Sequence, residues 1–242
     1  MEGRDQRING VKSLKYKAVI FDLFGTLVDE YPYEGYQSVL GQMASIFKIS
    51  FDDFKRLWYE TADERNTGIL RFVEDNVEYI CQKLGVPADD TKVKHATRLR
   101  YDFVAETMKP RQDAVEVLSQ LRSRGLKLGL ISNCSPETPV IWEDTSFPPL
   151  FNVTVFSSSA GVKKPDPRIY QLAVERLVVN PESCLYIGDG DSNELTGALS
   201  AGMHPVMIRI ADEDSAQPHV SIKQEWDGPV ISSLKEILAL IE

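Results

Sequence analysis

The sequence predicts an α/β fold in which a doubly wound parallel sheet carries an inserted all-helical cap domain. Short apolar runs rich in β-branched residues recur along the chain, which is typical of the buried strands of a parallel sheet. Helical patterns of about ten residues lie between most of these runs, as in successive βαβ units. The long stretch after the first run has helical periodicity alone, which predicts an insertion into the α/β core.

The elements of the core follow from these patterns in chain order. The predicted strands lie at 18–21, 126–131, 153–156, 184–187 and 206–210. The predicted helices lie at 113–124, 168–177, 193–201 and 232–241, and Ser232 or Ser233 caps the last of them. The core therefore comprises residues 17–29 and 109–242.

The inserted segment 30–108, which we call the cap, contains predicted amphipathic helices at 35–47, 51–65, 69–84 and 89–108. An insertion at this point lies over the carboxyl edge of the sheet, where open α/β folds bind their ligands. The hinges are expected near 29–32 and 108–110. The polar segment 1–16 lacks the apolar centre of a signal peptide and is predicted to be a disordered arm.

Composition limits the partners and the location. With 27 basic and 36 acidic residues the formal net charge is −9, which repels phosphate backbones and argues against nucleic acid. No apolar run approaches the roughly 20 residues that span a membrane. The three cysteines form no CxxC pair, which argues against a zinc site or a disulfide framework and predicts a cytoplasmic protein. The composition leaves room for a small anionic metabolite and leaves the oligomeric state open.

Two acidic segments follow predicted strands. Asp22 ends the first strand, and a buried carboxylate there needs a cation or hydrogen bonds. Asp189, Asp191 and Glu194 follow a later strand, and such an oxygen cluster suits a hard divalent cation. The plainer interpretations are a strand-end turn for Asp22 and a capped helix start for the later segment.

Polar residues also follow the strand at 126–131, where Ser132 offers a hydroxyl and Asn133 an amide. Lys164 precedes a predicted helix and offers a cation that offsets the charge of a carboxylate and an incoming anion, although most lysines are solvated. Only the sheet topology can bring these separated segments together.

In this order, the four segments resemble the motifs of the haloacid dehalogenase-like hydrolase superfamily. The matching residues are Asp22-Leu23-Phe24-Gly25-Thr26, Ser132, Lys164 with Pro165, and Gly188-Asp189 with Glu194. The resemblance covers about residues 17 to 210 and implies a core of this superfamily with a helical cap.

The resemblance implies a hydrolase that forms a covalent aspartyl intermediate on Asp22. Thr26 would position Asp22, Ser132 would bind the anionic group of the substrate, and Lys164 would offset the negative charge around the nucleophile. The cofactor implied is Mg²⁺, bound by a set of protein oxygens. These come from Asp22, the backbone carbonyl of Phe24, Asp189 and Glu194. Substrate contacts are expected from Phe24, Gly25, Asn133 and Tyr59.

One position departs from the phosphatases of the superfamily. They carry a second aspartate two residues after the nucleophile, as general acid and base, where this chain has Phe24. General acid catalysis is worth about 10²–10⁴-fold. Water, the phosphate of the substrate or a cap residue would have to replace it. An aromatic residue there is similar to the 2-haloacid dehalogenases, whose halide leaving group needs no proton.

The other features favour a phosphatase. Dehalogenases of this type bind the substrate with a cap arginine that directly follows a Leu-Trp pair. In this chain Leu57-Trp58 is followed by Tyr59 instead. The nearby arginines are Arg56, before the pair, and Arg65, beyond it. They also lack the acid that corresponds to Asp189. We therefore expect a Mg²⁺-dependent phosphatase of a small phosphomonoester. A C–halogen hydrolase and a non-catalytic ligand-binding protein are the alternatives.

Overall fold

The computed structural model describes residues 15–210 and 224–242. Six strands of the described chain form one parallel sheet in the order β3-β2-β1-β4-β5-β6. They are β1 (Ala18–Phe21), β2 (Lys127–Ser132), β3 (Val153–Phe156), β4 (Cys184–Gly188), β5 (His204–Ile208) and β6 (Val230–Ile231). The first strand is thus central, with β2 and β4 on either side of it.

The helices alternate with the strands after β2 and form an uninterrupted series before it. The series comprises α1 (Tyr33–Phe47), α2 (Phe51–Glu60), α3 (Ala62–Asn66), α4 (Val73–Lys83), α5 (Asp90–Thr107) and α6 (Ala114–Ser123). The later helices are α7 (Glu137–Trp142), α8 (Ser157–Ala160), α9 (Pro167–Leu177), α10 (Glu194–Ser200) and α11 (Ile237–Leu240).

Helices cover both faces of the sheet, which confirms the predicted doubly wound fold. Side chains of β1 alternate between two buried clusters, because successive residues of a strand point to opposite faces. Val19 and Phe21 pack in the cluster that holds the apolar face of α6. Ala18 and Ile20 pack in the cluster that holds α9 and α10. Burial on both faces explains why the strand sequences are apolar throughout.

Helices α1 to α5 lie within the predicted cap and enclose a hydrophobic cluster of their own, which includes the buried side chains of Phe54 and Trp58. Val28, just before the cap, and Pro110, just after it, form an isolated antiparallel bridge. The backbone N–H of Arg111 donates to the carbonyl of Leu27 at 2.9 Å beside this bridge. These contacts lie beside the predicted hinges, and we keep 30–108 as the proposed extent of the cap.

Several helix boundaries differ from the prediction for local reasons. The predicted helix 51–65 is divided into α2 and α3 at Thr61, whose hydroxyl donates to the carbonyl of Leu57 at 2.8 Å. The predicted helix 69–84 begins only at Val73, because Asp75 accepts hydrogen bonds from the N–H groups of Arg71 and Phe72, both at 3.0 Å.

Three short elements were not predicted. Helices α7 and α8 and strand β6 have six, four and two residues, too few to show a period. The predicted strand 206–210 lies at His204–Ile208. The predicted helix 232–241 is a 3₁₀ turn followed by α11, and the Ser233 hydroxyl accepts from the N–H of Lys235 at 3.2 Å.

The amino-terminal prediction needs one correction. Residues 1–14 of the predicted arm lie outside the described residues, but Tyr16, which we assigned to the arm, is buried in the core. Its ring packs edge-on against His204, with centroids 5.4 Å apart. Among the described residues, no helix has both the length and the apolar character needed to cross a bilayer.

Candidate active site

The polar residues predicted from separate segments meet at the carboxyl edge of the sheet. Strand β1 pairs with β2 and β4 in parallel, and Phe21 is in register with Leu130 on one side and Ile187 on the other. Asp22 therefore emerges beside Asp189, which follows β4, and beside the end of β2. The backbone N–H of Asp22 donates to the carbonyl of Ile187 at 2.9 Å, which fixes this position.

Three carboxylates converge at this edge. Asp22, Asp189 and Glu194 each offer an oxygen, and the three oxygens lie within 4.8 Å of one another. All three side chains are buried. Burying ionised carboxylates together is costly unless a cation or hydrogen bonds offset their charge. Of the acids that the sequence analysis named, Asp22, Asp189 and Glu194 belong to this grouping, whereas Asp191 does not and accepts from the Ser192 hydroxyl at 3.2 Å.

Two glycines allow the carboxylates to approach the backbone. A Cβ added at Gly25 would lie 2.1 Å from Oδ2 of Asp189, and Gly25 has a φ of +74°, which favours glycine. A Cβ at Gly188 would lie 2.1 Å from Oε1 of Glu194. Gly25, which we predicted to contact substrate, thus also makes room for a carboxylate of the acidic cluster.

Lys164 is the cation inside this cluster. Its Nζ forms ion pairs with Asp22 and with Oε2 of Glu194, the latter at 2.6 Å, and its side chain is buried. Glu194 also accepts from the Tyr186 hydroxyl at 2.7 Å and from the N–H of Gly190 at 3.0 Å. One ammonium group therefore faces three carboxylates, and negative charge remains in excess.

Burial shifts the titration of these groups. Burial raises the pKa of Asp22 to about 6, because the pairing with Lys164 offsets only part of the desolvation and Asp189 adds repulsion. Burial likewise raises the pKa of Glu194 well above its usual range. Burial by itself lowers the pKa of Lys164, but the carboxylates of Asp22 and Glu194 raise it above its usual range, so the ammonium stays protonated.

The other predicted catalytic residues surround the nucleophile candidate. The Thr26 hydroxyl donates to Oδ2 of Asp22 at 3.4 Å. The Ser132 hydroxyl is buried and has no hydrogen-bond partner among the described residues. A buried hydroxyl without a partner is costly and is a donor available to an anion.

Asn133 holds the loop that carries Lys164. Its side-chain oxygen accepts from the Lys164 N–H at 2.8 Å, and its amide nitrogen donates to the Lys164 carbonyl at 3.1 Å. We predicted a substrate contact for Asn133. The structure gives its amide a positioning role toward Lys164, while the residue also lines the adjoining cavity.

A cavity of about 260 Å³ lies between the cap and the carboxyl edge of the sheet. Its core side is formed by Phe24, Asn133, Cys134 and Ser135, and its cap side by Tyr31, Tyr33, Tyr36, Tyr59, Ala62, Arg65, Asn66 and Arg100. Tyr59, predicted to contact substrate, is 45% exposed, and its hydroxyl accepts from Gln37 at 3.0 Å. The ring of Phe24 packs on Tyr31, with centroids 4.7 Å apart. The described residues that line this cavity include no carboxylic acid.

The sequence analysis missed a buried ion pair beside this cavity. Nε of Arg100, in α5, donates to Oε1 of Glu137, in α7, at 2.7 Å, and the side chains are 2% and 0% exposed. The sequence does contain a signal that could have indicated this pair. Arg100 lies on the buried face of α5, at helical spacing with Val93, Ala96, Thr97 and Val104. A charged residue on such a face needs a buried partner.

The two arginines weighed in the sequence analysis lie in different surroundings. Arg56 is exposed and pairs with Glu60 at 3.1 Å on the surface of α2. Arg65 is buried and lines the cavity. The sequence could not separate them, because α2 and α3 are distinct helices that turn Arg65 inward.

Comparison with known proteins shows the class to which this site belongs. The family model of haloacid dehalogenase-like hydrolases matches residues 16–202, a range that contains every residue of the acidic cluster. The chain belongs to this family of hydrolases.

The relatives of this chain are named for different activities. A glyceraldehyde 3-phosphate phosphatase of Methanopyrus kandleri is 28% identical, over 84% of this chain and 88% of the relative. An (S)-2-haloacid dehalogenase of Pseudomonas putida is 27% identical, over 71% of this chain and 75% of the relative. The crystal structure of a HAD phosphatase from Thermococcus onnurineus has the same fold, with a TM-score of 0.65, 22% identity, and coverage of 93% of this chain and 97% of that one.

Proposed function

We propose that the protein is a Mg²⁺-dependent phosphatase of small phosphomonoesters. The observation that carries the proposal is the excess of buried carboxylate around Asp22, Asp189 and Glu194. A dense acidic cluster without a second cation would repel a carboxylate or phosphate substrate. A bound divalent cation offsets this charge and makes the site attractive to phosphate.

The donor set fits Mg²⁺, which takes one or two protein carboxylates together with water and substrate phosphate. Asp22 and Asp189 are the proposed direct ligands, with the backbone carbonyl of Phe24 beside them. Both oxygens of Glu194 already accept hydrogen bonds, so Glu194 is proposed to act through water. When bound, Mg²⁺ supplies positive charge to the transferring phosphoryl group.

The residues of the chain perform the transfer itself. The Asp22 carboxylate attacks phosphorus, a P–O bond to Asp22 forms, and the bond to the leaving alcohol oxygen breaks. Thr26 orients the Asp22 carboxylate, and the unpartnered Ser132 hydroxyl donates to a phosphoryl oxygen. Lys164 offsets charge on the nucleophile and the phosphoryl group. Water then cleaves the aspartyl phosphate, which releases phosphate and restores Asp22.

No carboxylic acid among the described residues that line the cavity is available to protonate the leaving group. Phe24 stands where the phosphatases of this family carry their second aspartate. We therefore propose a preference for alcohols of low pKa, which leave as alkoxides or phenoxides. We propose a small anionic metabolite as the substrate, a size that suits the cavity of about 260 Å³.

The name of one relative supports this assignment, because the glyceraldehyde 3-phosphate phosphatase is a phosphatase of a small phosphorylated metabolite. We also propose a cytoplasmic location, supported by three cysteines, Cys81, Cys134 and Cys184, that are free and buried.

The test combines turnover with metal binding. We expect hydrolysis of p-nitrophenyl phosphate that requires Mg²⁺ and disappears in Asp22→Asn. Calorimetry should detect Mg²⁺ binding to the wild type and none to Asp189→Asn. Hydrolysis that survives Asp22→Asn, or Mg²⁺ binding that is unaffected by Asp189→Asn, would overturn the assignment.

A 2-haloacid dehalogenase is the second candidate, favoured by Phe24 and by the presence of Arg65 in the cavity. A halide leaving group needs no general acid, and an arginine in the cavity suits a haloacid carboxylate. The activity would appear as chloride released from 2-chloropropionate in the presence of a chelator. Absence of chloride between pH 6 and pH 10, alongside Mg²⁺-dependent phosphate release, would exclude it.

A further inference from the structure

Arg65 is a buried cation that faces the cavity and forms no ion pair with any residue that the structure describes. Its side chain is 3% exposed, and it lines the cavity on the cap side. No carboxylate among the described residues lies within 4.0 Å of its guanidinium. Its Nη1 donates to the carbonyl of Trp58 at 2.6 Å and to the Thr61 hydroxyl at 2.9 Å, whereas Nε is buried and has no hydrogen-bond partner.

A buried guanidinium without a carboxylate is an unusual arrangement. Removing such a charge from water is costly unless a partner offsets it. Burial lowers the pKa of Arg65, but a guanidinium remains protonated at every physiological pH. Because Nε is also shielded from solvent, bulk water does not satisfy it. The charge is therefore present and open to an anion that enters the cavity.

The second arginine of the cavity does not share this property. Arg100 is paired with Glu137 at 2.7 Å, so that pair contributes no net charge. Among the described residues, the charged side chains that line the cavity are Arg65 and Arg100, and Glu137 pairs with Arg100 beside it. Glu64 and Glu137 act on Arg65 only from beyond ion-pair distance. A guanidinium that forms no ion pair within the cavity suits a carboxylate, which a planar guanidinium binds through charge-assisted hydrogen bonds.

The surroundings hold Arg65 in place. Its guanidinium carbon lies 4.1 Å from the centroid of the Trp58 ring, and its Nη1 is anchored by the two hydrogen bonds to Trp58 and Thr61. A planar guanidinium that is already ordered loses little freedom when it binds a carboxylate. The remaining lining is rich in aromatic rings, including Phe24, Tyr31 and Tyr59, which suit a flat or apolar body.

We propose that the substrates are small phosphomonoesters whose organic part carries a carboxylate, and that Arg65 binds this carboxylate in the cavity between cap and core. This inference rests on the proposed phosphatase function and adds the class of its substrate. The phosphoryl group lies at Asp22, the apolar body lies between Phe24 and the tyrosines of the cap, and the carboxylate reaches Arg65.

The first experiment compares pairs of substrates that differ only in this charge. We expect 3- or 4-carboxyphenyl phosphate to exceed the corresponding carbamoylphenyl phosphate about tenfold or more in kcat/KM, the size of a charge-assisted hydrogen bond. Arg65→Gln should reduce this ratio to about 1, and Arg65→Lys should leave an intermediate ratio because it keeps the charge and loses the planar fork. Arg56→Gln, an exposed arginine on α2, should keep the wild-type ratio.

The second experiment does not depend on hydrolysis. Calorimetric titration with benzoate and with benzamide should show tighter binding of benzoate to the wild type and to Arg56→Gln, and equal binding of both to Arg65→Gln. If no phosphoester is hydrolysed but this pattern appears, the phosphatase function fails and the carboxylate site stands. If phosphoesters are hydrolysed and neither titration nor kinetics favours the carboxylate, the carboxylate site is wrong.

Discussion

Gly25 lies so close to Asp189 that a Cβ at Gly25 would fall 2.1 Å from Oδ2 of that carboxylate. The loop after β1 and the loop after β4 therefore fit together only with glycine at this position. This contact places the proposed nucleophile loop against the acidic cluster, and it links a backbone requirement to metal binding.

Gly25→Ala should weaken Mg²⁺ binding at least tenfold, because the added methyl group displaces Asp189. Calorimetry measures the affinity, and thermal unfolding measures the separate backbone cost of about 1–2 kcal/mol for a left-handed residue. Gly161→Ala is the control, since Gly161 has the same φ of +74° but nothing within 4 Å of the added Cβ. Equal Mg²⁺ affinities for the two variants would contradict the prediction.

Phe24→Asp should introduce a carboxylic acid, which the described lining of the cavity does not contain. We expect turnover of alkyl phosphates to rise, by up to the factor of about 10²–10⁴ that general acid catalysis contributes. The dependence of kcat on the leaving-group pKa should also become shallower. Rates for a series of phosphate esters give this slope. Phe24→Asn has nearly the same shape without an acidic proton, so a gain that is equal in both variants would argue against proton donation.

The pH profile should report the ionisation of Asp22. Burial raises the pKa of Asp22 to about 6, and only the carboxylate form attacks phosphorus. At low Mg²⁺, kcat/KM for p-nitrophenyl phosphate should rise as the pH increases through about 6. Because a bound cation favours the ionised form of Asp22, a higher Mg²⁺ concentration should move this rise in kcat/KM to lower pH. If kcat/KM rises at the same pH at every Mg²⁺ concentration, a group other than Asp22 controls the rate.

Breaking the buried pair between Arg100 and Glu137 should destabilise the protein strongly. Arg100→Met leaves Glu137 buried without its partner, so we expect the free energy of unfolding in urea to fall by about 3–5 kcal/mol. The double variant Arg100→Met with Glu137→Leu should recover part of this loss, since no unpaired charge remains.

Arg98→Met is the matched control on the same helix. Arg98 pairs with Asp102 at 2.7 Å, but its side chain is 76% exposed, so the loss should be below about 1 kcal/mol. Similar losses for Arg98→Met and Arg100→Met would mean that the buried pair adds nothing beyond a surface pair.

The sheet, and the meeting of several candidate site residues at its edge, could be predicted from the sequence because their signals are local. Asp22, Ser132 and Asp189 each stand where an apolar strand ends, and the carboxyl ends of parallel strands share one edge. The ion pairs of Lys164 with Asp22 and Glu194 agree with the prediction of a cation within the acidic cluster.

The contacts between the cap and the core could not be predicted in the same way. Arg100 and Glu137 are separated by 37 residues, and no period in either segment indicates the other. The same holds for Arg65, whose inward position depends on the break between α2 and α3 at Thr61.

The sequence by itself determined which polar residues lie at the strand ends. The apolar runs identify the strands, and the polar residues that follow each strand are then read directly in chain order. Only the tertiary structure decided what the cavity contains, namely the unpaired Arg65, the paired Arg100 and the ring of Phe24 against Tyr31. The physical reason is that most of the cap packs around one hydrophobic cluster and the core around another, with Val104 and Met108 of the cap joining the core cluster. The way these two packed units meet depends on their shapes and charges in three dimensions, which no local pattern records.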